Sequence, residues 1–336
     1  MVGVLAGRLD VSSRSFSVEE VPEPQPGPGE VRVRVRAAGV CLSDLHLVEG
    51  SLTPLHLPGD VVTLGHEVAG EVESLGEGVT GWEPGQRVLL QAGEERGGAV
   101  HTRGVDYDGG WAELALATAS TLVPIPDDLP FEQAAIIPDA VSTPWAAISA
   151  TAGVRPAQAV GVWGVGGLGA HAVQLLRMAG AAPIVAVDPV AVARERALAL
   201  GADVALDPSD EAFGDVVGRE TRGAGLAVAF DFAGVPAVRE QALATLSYRG
   251  RLVLVGLADA PLTVRDGTRF SYLRQQVLGH YGSEPQHVTE LVALAARGRL
   301  DFSASVSDVL PLADAQTALD RLGSKEGSPV RLVLRP

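Results

Sequence analysis

Two short segments in the first third of the chain carry residue types that bind metals. Gly39-Val40-Cys41-Leu42-Ser43-Asp44-Leu45-His46 brings a thiol, a hydroxyl, a carboxylate and an imidazole into one run, and Gly65-His66-Glu67 adds a second imidazole beside a carboxylate. Taken singly, Cys41 reads as a small buried apolar residue and His66 as a core histidine. Taken together, with Glu67 beside His66 and Asp44 close to Cys41, they have the composition of a zinc site whose ligands are oriented by neighbouring carboxylates. Spacing alone leaves both readings open. Cys41 is the one cysteine among 336 residues, so an intrachain disulfide and a four-cysteine zinc site are both impossible.

A second constellation lies in the middle of the chain. The apolar run Ala159–Trp163 leads into Gly164-Val165-Gly166-Gly167-Leu168-Gly169, and an apolar helical stretch follows. This is G-x-G-x-x-G between a strand and a helix, the context that gives the pattern meaning. Gly164 permits the tight turn, Gly166 lets backbone approach a pyrophosphate, and Gly169 lets the helix pack on its strand. The helix N-terminus supplies free N–H groups and a positive dipole end for an anion. A second strand, Pro183–Val187, ends at Asp188, about 20 residues past the glycines, where an acid is expected to hold the adenosine ribose. A 2′-phosphate at that carboxylate would meet like charge, at a cost on the order of 4 kcal/mol at about 4 Å and an effective dielectric near 20. Pro189, Val190 and Ala191 follow Asp188 with no arginine among them, so NAD is expected over NADP.

The elements that must position these residues fall into two patterns. The first third alternates in short runs, as in Val31-Arg32-Val33-Arg34-Val35-Arg36, with further strands at 68–75, 86–91 and 111–116 and a stiff Pro/Gly loop at 22–30. The arginines of the first run read as a solvated strand face. From about residue 131 a helical stretch interrupted by Pro138 and Pro144 gives way to strand–helix alternation. Strands are expected at 159–164, 183–188, 226–232, 250–256 and 275–281, with helices at 167–179, 190–200 and 236–247, which predicts a parallel sheet of βαβ units. Beyond about 281, helices at 287–297 and 313–322 and a last strand, VRLVL, close the chain. Residues 156–176 hold no acidic or basic side chain, but their glycines read as strand, loop and helix, not as a membrane span. No signal peptide is evident and a cytoplasmic protein is expected. With 26 Lys plus Arg against 41 Asp plus Glu, the net charge of −15 argues against nucleic acid and membrane surfaces as partners.

These residues together resemble the zinc-dependent alcohol dehydrogenases of the medium-chain dehydrogenase/reductase superfamily. Gly65-His66-Glu67-Val68-Ala69-Gly70, continuing to Gly76 and Val79, is similar to the family's zinc signature, and Gly39–Asp44 to its first-ligand motif. The resemblance implies a GroES-like β-rich catalytic domain in residues 1–140, a Rossmann NAD-binding domain of doubly wound parallel sheet in 141–280, and a return segment of the catalytic domain in 281–336. It implies Cys41 and His66 as ligands of one catalytic zinc. It also places Asp139 where relatives usually carry a third-ligand cysteine, and Glu67 close to the metal. Asp44 would orient His66, Ser43 would touch the substrate oxygen, His46 would pass the proton to bulk water, and Arg331 would pair with the cofactor pyrophosphate. The implied substrate is a small alcohol or carbonyl compound and the implied assembly a homodimer or homotetramer. Metal-free quinone or enoyl reductases of the same superfamily, and a catalytically silent NAD-binding protein, are the competing readings. Relatives that carry a second, structural zinc hold it on four cysteines in the loop matching 93–110, which has none here. A structural zinc is therefore not expected, and His101 in that loop reads as a solvated residue.

Overall fold

In the computed structural model, which describes residues 3–336, the strictly alternating run forms the centre of a barrel-like sheet. Val31, Val33 and Val35 face inward and are buried, while the arginines between them face outward. Those arginines are paired along the strand face: Arg32 with Glu23 and Glu73, Arg34 with Glu73, and Arg36 with Glu71. The strand Glu30–Val40 pairs antiparallel with Val68–Leu75, with Leu114–Thr118 and with the terminal strand Arg331–Arg335. Arg87–Leu90, Leu122–Pro124 and Val306–Pro311 complete a seven-stranded sheet. A separate three-stranded sheet is made by Ser15–Pro22, Gly3–Asp10 and Val61–Thr63. The chain divides into two compact units, one of residues up to Ser142 with Gly282–Pro336, the other Thr143–Tyr281.

Within the first unit the stretch around Pro138 folds as expected from a proline inside helical sequence. A proline lacks the N–H that an α-turn needs and its ring crowds the preceding turn. The helix Phe131–Ala135 therefore gives way to a wide π-turn over Ile137–Val141 before α-helix resumes at Ser142–Ala146. Such wide turns recur at functional sites because they change the angle at which side chains project.

The second unit is a six-stranded parallel sheet. Its order is Val204–Leu206, Ile184–Val187, Val160–Trp163, Leu226–Asp231, Leu246–Leu254, Gln276–Gly279, which is 3-2-1-4-5-6 along the unit. That order defines the doubly wound dinucleotide-binding topology, with the switch point beside the first strand. Val204–Leu206 and the helices Phe213–Glu220 and Gly267–Tyr272 go beyond the sequence reading, and each is eight residues or shorter. The helix after the glycine loop, Gly169–Met178, buries Ala172, Val173, Leu175 and Leu176. Its first residue has no room for a side chain: a Cβ on Gly169 would sit 1.8 Å from the Gly164 carbonyl oxygen. Gly169→Ala should therefore lower stability by about 1–3 kcal/mol, the usual cost of overpacking, and calorimetry should find the melting temperature reduced. An unchanged melting transition would mean that the loop relaxes freely at this position.

Candidate metal centre and dinucleotide loop

Cys41 stands where the central strand of the barrel passes into the helix Leu42–Glu49. Its backbone N–H donates to Asp44 Oδ2 at 2.8 Å, so a carboxylate in the first helical turn fixes the entry of the chain and the direction of the thiol. His66 follows Gly65, whose φ of +96° only glycine adopts without strain. The Gly39 N–H donates to the Glu67 carbonyl at 2.8 Å, tying the two segments side by side. Asp139 comes from the wide turn after Pro138. The four side chains Cys41, His66, Glu67 and Asp139 bring one possible ligand atom each to within 4.8 Å of one another.

The spacing within this group suits zinc. Cys41 Sγ lies 3.5 Å from Asp139 Oδ2, and His66 Nε2 lies 3.4 Å from the same oxygen. Bonds of about 2.3 Å to sulfur and about 2.0–2.1 Å to nitrogen and oxygen, at tetrahedral angles, give ligand–ligand edges of about 3.5 and about 3.4 Å. Ser43 Oγ is 3.7 Å from Cys41 Sγ. Asp44 Oδ1 faces His66 Nδ1 at 3.6 Å, close enough to orient the ring by charge but longer than a hydrogen bond. His46 is half-buried on the same short helix.

Buried polar atoms around the cluster lack partners. Asp44 Oδ1, His66 Nδ1 and Glu67 Oε2 are buried atoms without a hydrogen-bond partner. Burial opposes a charge on His66, but Asp44 beside it and the carboxylate of Asp139 outweigh burial and hold its pKa well above the usual imidazole range. Burial pushes Glu67 up to about 7, against the pull of Arg331. These are the directions expected where buried carboxylates crowd around an imidazole.

Arg331, expected from the resemblance to pair with the cofactor pyrophosphate, pairs within the first unit with Glu67. It opens the terminal strand, whose antiparallel register, Leu332 against Val40, sets it beside the Cys41 end of the central strand. Its Nη2 donates to Glu67 Oε1 at 2.6 Å and lies 3.6 Å from Asp139 Oδ2. Glu67 Oε1 also accepts from the Ala140 N–H at 3.0 Å, a donor in the wide turn. Arg331 is 2% exposed, and Glu67, Cys41 and Asp139 around it more than offset the penalty of burying its charge. The pairing depends on sheet register between distant segments, which no local pattern of the sequence reports.

In the second unit Gly166 is exposed and Gly167 and Leu168 are half-buried, and a Cβ on Gly166 would meet no neighbour. The loop therefore keeps an open face of backbone where a pyrophosphate can approach. Asp188 stands at the end of the second strand and grips this loop: its Oδ2 accepts from the Val165 N–H at 2.8 Å, and its Oδ1 from the Val190 N–H at 2.8 Å. Each oxygen retains a lone pair for a ribose hydroxyl. The expectation that no arginine stands near Asp188 needs correction. The helix Ala191–Ala199 turns Arg194 and Arg196 back toward it. Arg194 Nη1 donates to the Asp188 and Pro189 carbonyls and to Asp207. Arg196, half-buried, reaches the Val165 carbonyl and feels the Asp188 charge. One helical turn separates these arginines from the residues directly after Asp188, which is why reading along the chain overlooked them.

His101 is also not merely solvated. It lies in a hairpin, Gly93–Arg96 with Ala99–Thr102, and stacks on His56 with ring centroids 4.4 Å apart.

The site and the fold define a zinc-type medium-chain oxidoreductase. Residues 27–127 match the alcohol dehydrogenase GroES-like domain and residues 167–297 match the zinc-binding dehydrogenase domain. The alcohol dehydrogenase of Geobacillus stearothermophilus is 31% identical over 325 residues, covering 92% of this chain and 93% of that one. An NDMA-dependent alcohol dehydrogenase of Amycolatopsis methanolica is 34% identical over 240 residues, 62% of this chain and 64% of that one. Among solved structures, a zinc-binding dehydrogenase of Sinorhizobium meliloti 1021 bound to NADP superposes with a TM-score of 0.90 over 100% of both chains at 26% identity. The chain belongs to the zinc-type alcohol dehydrogenase family of the medium-chain dehydrogenase/reductase superfamily.

Asp139→Asn tests the least expected member of the cluster. The substitution keeps size and removes the charge, so zinc affinity measured by chelator competition should fall by about tenfold or more, with little change in far-ultraviolet circular dichroism. Full zinc affinity in the variant would exclude Asp139 as a ligand and leave Glu67 as the carboxylate that completes the set.

Proposed function

We propose that the protein is a zinc-dependent oxidoreductase that interconverts an alcohol and its aldehyde or ketone, with NAD(H) as the hydride carrier. The observation that supports it most directly is the convergence of Cys41 Sγ, His66 Nε2 and Asp139 Oδ2 at the edge lengths of a zinc tetrahedron. Cys41, His66 and Asp139 hold the metal, with Glu67 at its side. When bound there, zinc supplies a Lewis acid that lowers the pKa of a substrate hydroxyl or polarises a carbonyl.

The remaining roles belong to the chain itself. Ser43, 3.7 Å from the thiol, lies within reach of a substrate oxygen beside the cluster and takes or returns its proton. His46, on the same helix and half-buried, hands that proton on to water. Arg331 keeps the Glu67 carboxylate paired, so the ligand carboxylate and thiolate, not Glu67, neutralise the two metal charges. The substrate is a small molecule, and the assembly is a homodimer or homotetramer, as in the family at large.

The choice of NAD over NADP rests on Asp188, whose buried carboxylate would face a 2′-phosphate. Arg194 is already held by two carbonyls and Asp207, and Arg196 reaches the Val165 carbonyl, so the preference is given to the carboxylate. The NADP-bound Sinorhizobium neighbour makes the comparison worth measuring. For alcohol oxidation, kcat/KM with NAD should exceed that with NADP by about a thousandfold, which is about 4 kcal/mol at about 1.4 kcal/mol per decade, and Asp188→Ser should narrow the gap mainly through KM for NADP. Equal use of both cofactors by the unaltered enzyme would refute the ribose role of Asp188.

A further inference from the structure

In this chain the segment that would carry a structural zinc in some relatives lacks cysteine, yet it packs directly against the two turns that carry Cys41 and His66. From Gly109 to Trp111 its backbone lies along the residues before His66. The Gly109 N–H donates to the Thr63 carbonyl at 2.7 Å, the Trp111 N–H to the Leu64 carbonyl at 2.9 Å, and the Gly110 N–H to the Gly65 carbonyl at 2.8 Å. The indole of Trp111 is fully buried. Its Cδ1 lies 2.2 Å from where a Cβ on Gly65 would stand, so the ring fills the space that the glycine leaves open. The indole Nε1–H donates to the Gly39 carbonyl at 3.0 Å, two residues before Cys41. One side chain thus touches both ligand-bearing turns, and Phe16 closes its outer face edge-on at 5.9 Å.

The segment behind Trp111 is held by charge and hydrogen bonds in place of metal. Arg103 is fully buried, with Nη1 on the Leu116 carbonyl and Nε on the Gln91 carbonyl. Asp106 accepts from the N–H groups of Leu55, His56 and Thr102. A lost hydrogen bond in such a buried frame costs more than its net worth, because its partner stays desolvated.

We propose that Trp111 is a positioning residue for the metal centre, acting through Gly39 and Gly65 to hold Cys41 and His66 at ligand spacing before any metal arrives. The inference rests on the metal-binding reading of Cys41, His66 and Asp139. Preorganised ligands release a metal slowly, and orienting partners of ligands typically carry 10- to 100-fold in metal affinity. Trp111→Phe removes the Nε1–H donor and keeps an aromatic ring. Phe16→Leu, which loosens the packing on the same ring and keeps its Nε1–H donor, serves as the packing control.

The test loads each full-length protein with zinc and times its release to a chromophoric chelator, then repeats the comparison with cobalt and records the thiolate-to-cobalt charge-transfer band. Trp111→Phe should release zinc about tenfold faster than wild type and shift or weaken the band, while Phe16→Leu lowers the melting temperature and leaves both readouts at the wild-type value. Wild-type release and an unaltered band in Trp111→Phe would overturn the proposal while leaving the metal site standing. Failure of the wild type to retain zinc would remove both. Hydrogen exchange on the unaltered protein guards against a variant that does not fold. Zinc added to the metal-stripped chain should slow exchange at the amides of Gly109, Gly110 and Trp111 together with those of Gly39, Cys41 and His66. Protection confined to the ligand turns would also overturn the proposal.

Discussion

Charge is concentrated at one buried point of the first unit, and the placing of its elements is best understood from there. Cys41, Asp44, Glu67 and Asp139 are acids within or beside the cluster, Arg331 is the one permanent cation among them, and His66 lies between two carboxylates. Burying unpaired charge is expensive, and a cluster with this excess of acids is stable only when protons or a cation offset it. Burial and the neighbouring carboxylates shift His66 and Glu67 upward, the direction in which bound protons offset such an excess. A divalent cation held by Cys41, His66 and Asp139 would offset it as well. The same balance explains why Arg331 is held inside: without it, Glu67 would add a further uncompensated charge beside the ligands.

The members of this cluster come from every part of the first unit. Cys41 closes the central strand, His66 and Glu67 precede the next, Asp139 sits in a wide turn after Pro138, and Arg331 opens the final strand. Glu67 and Arg331 are 264 residues apart in sequence. Arg331 therefore reaches Glu67 only once the terminal strand has paired with the central one. In the second unit a comparable economy operates at Asp188, one carboxylate that shapes the glycine loop through Val165 and presents itself at the strand end.

Much of this was legible in the residues themselves. The glycine loop, Asp188 and the alternation of strands and helices identified the parallel sheet, because dinucleotide binding imposes local geometry that only certain residues satisfy. Cys41, His66 and Glu67 were visible as types, and Asp139 through likeness to a family whose usual cysteine it replaces. What escaped was everything set by register or by a helical turn: Arg331 on Glu67, Arg194 and Arg196 folding back on Asp188, and Trp111 spanning Gly39 and Gly65. Arg103, fully buried in a cysteine-free loop, shows the same limit. Its role follows from the carbonyls it meets in three dimensions, and the sequence around it reads only as polar loop.

The central claim is that one zinc sits on a single sulfur, one imidazole and a carboxylate. X-ray absorption on the zinc-loaded protein, with metal content determined on the same sample, tests it most directly. The account predicts one zinc per chain, one sulfur scatterer at about 2.3 Å, and nitrogen and oxygen scatterers at about 2.0–2.2 Å. A tightly held zinc with no sulfur neighbour, or two tightly held zinc ions per chain, would contradict it.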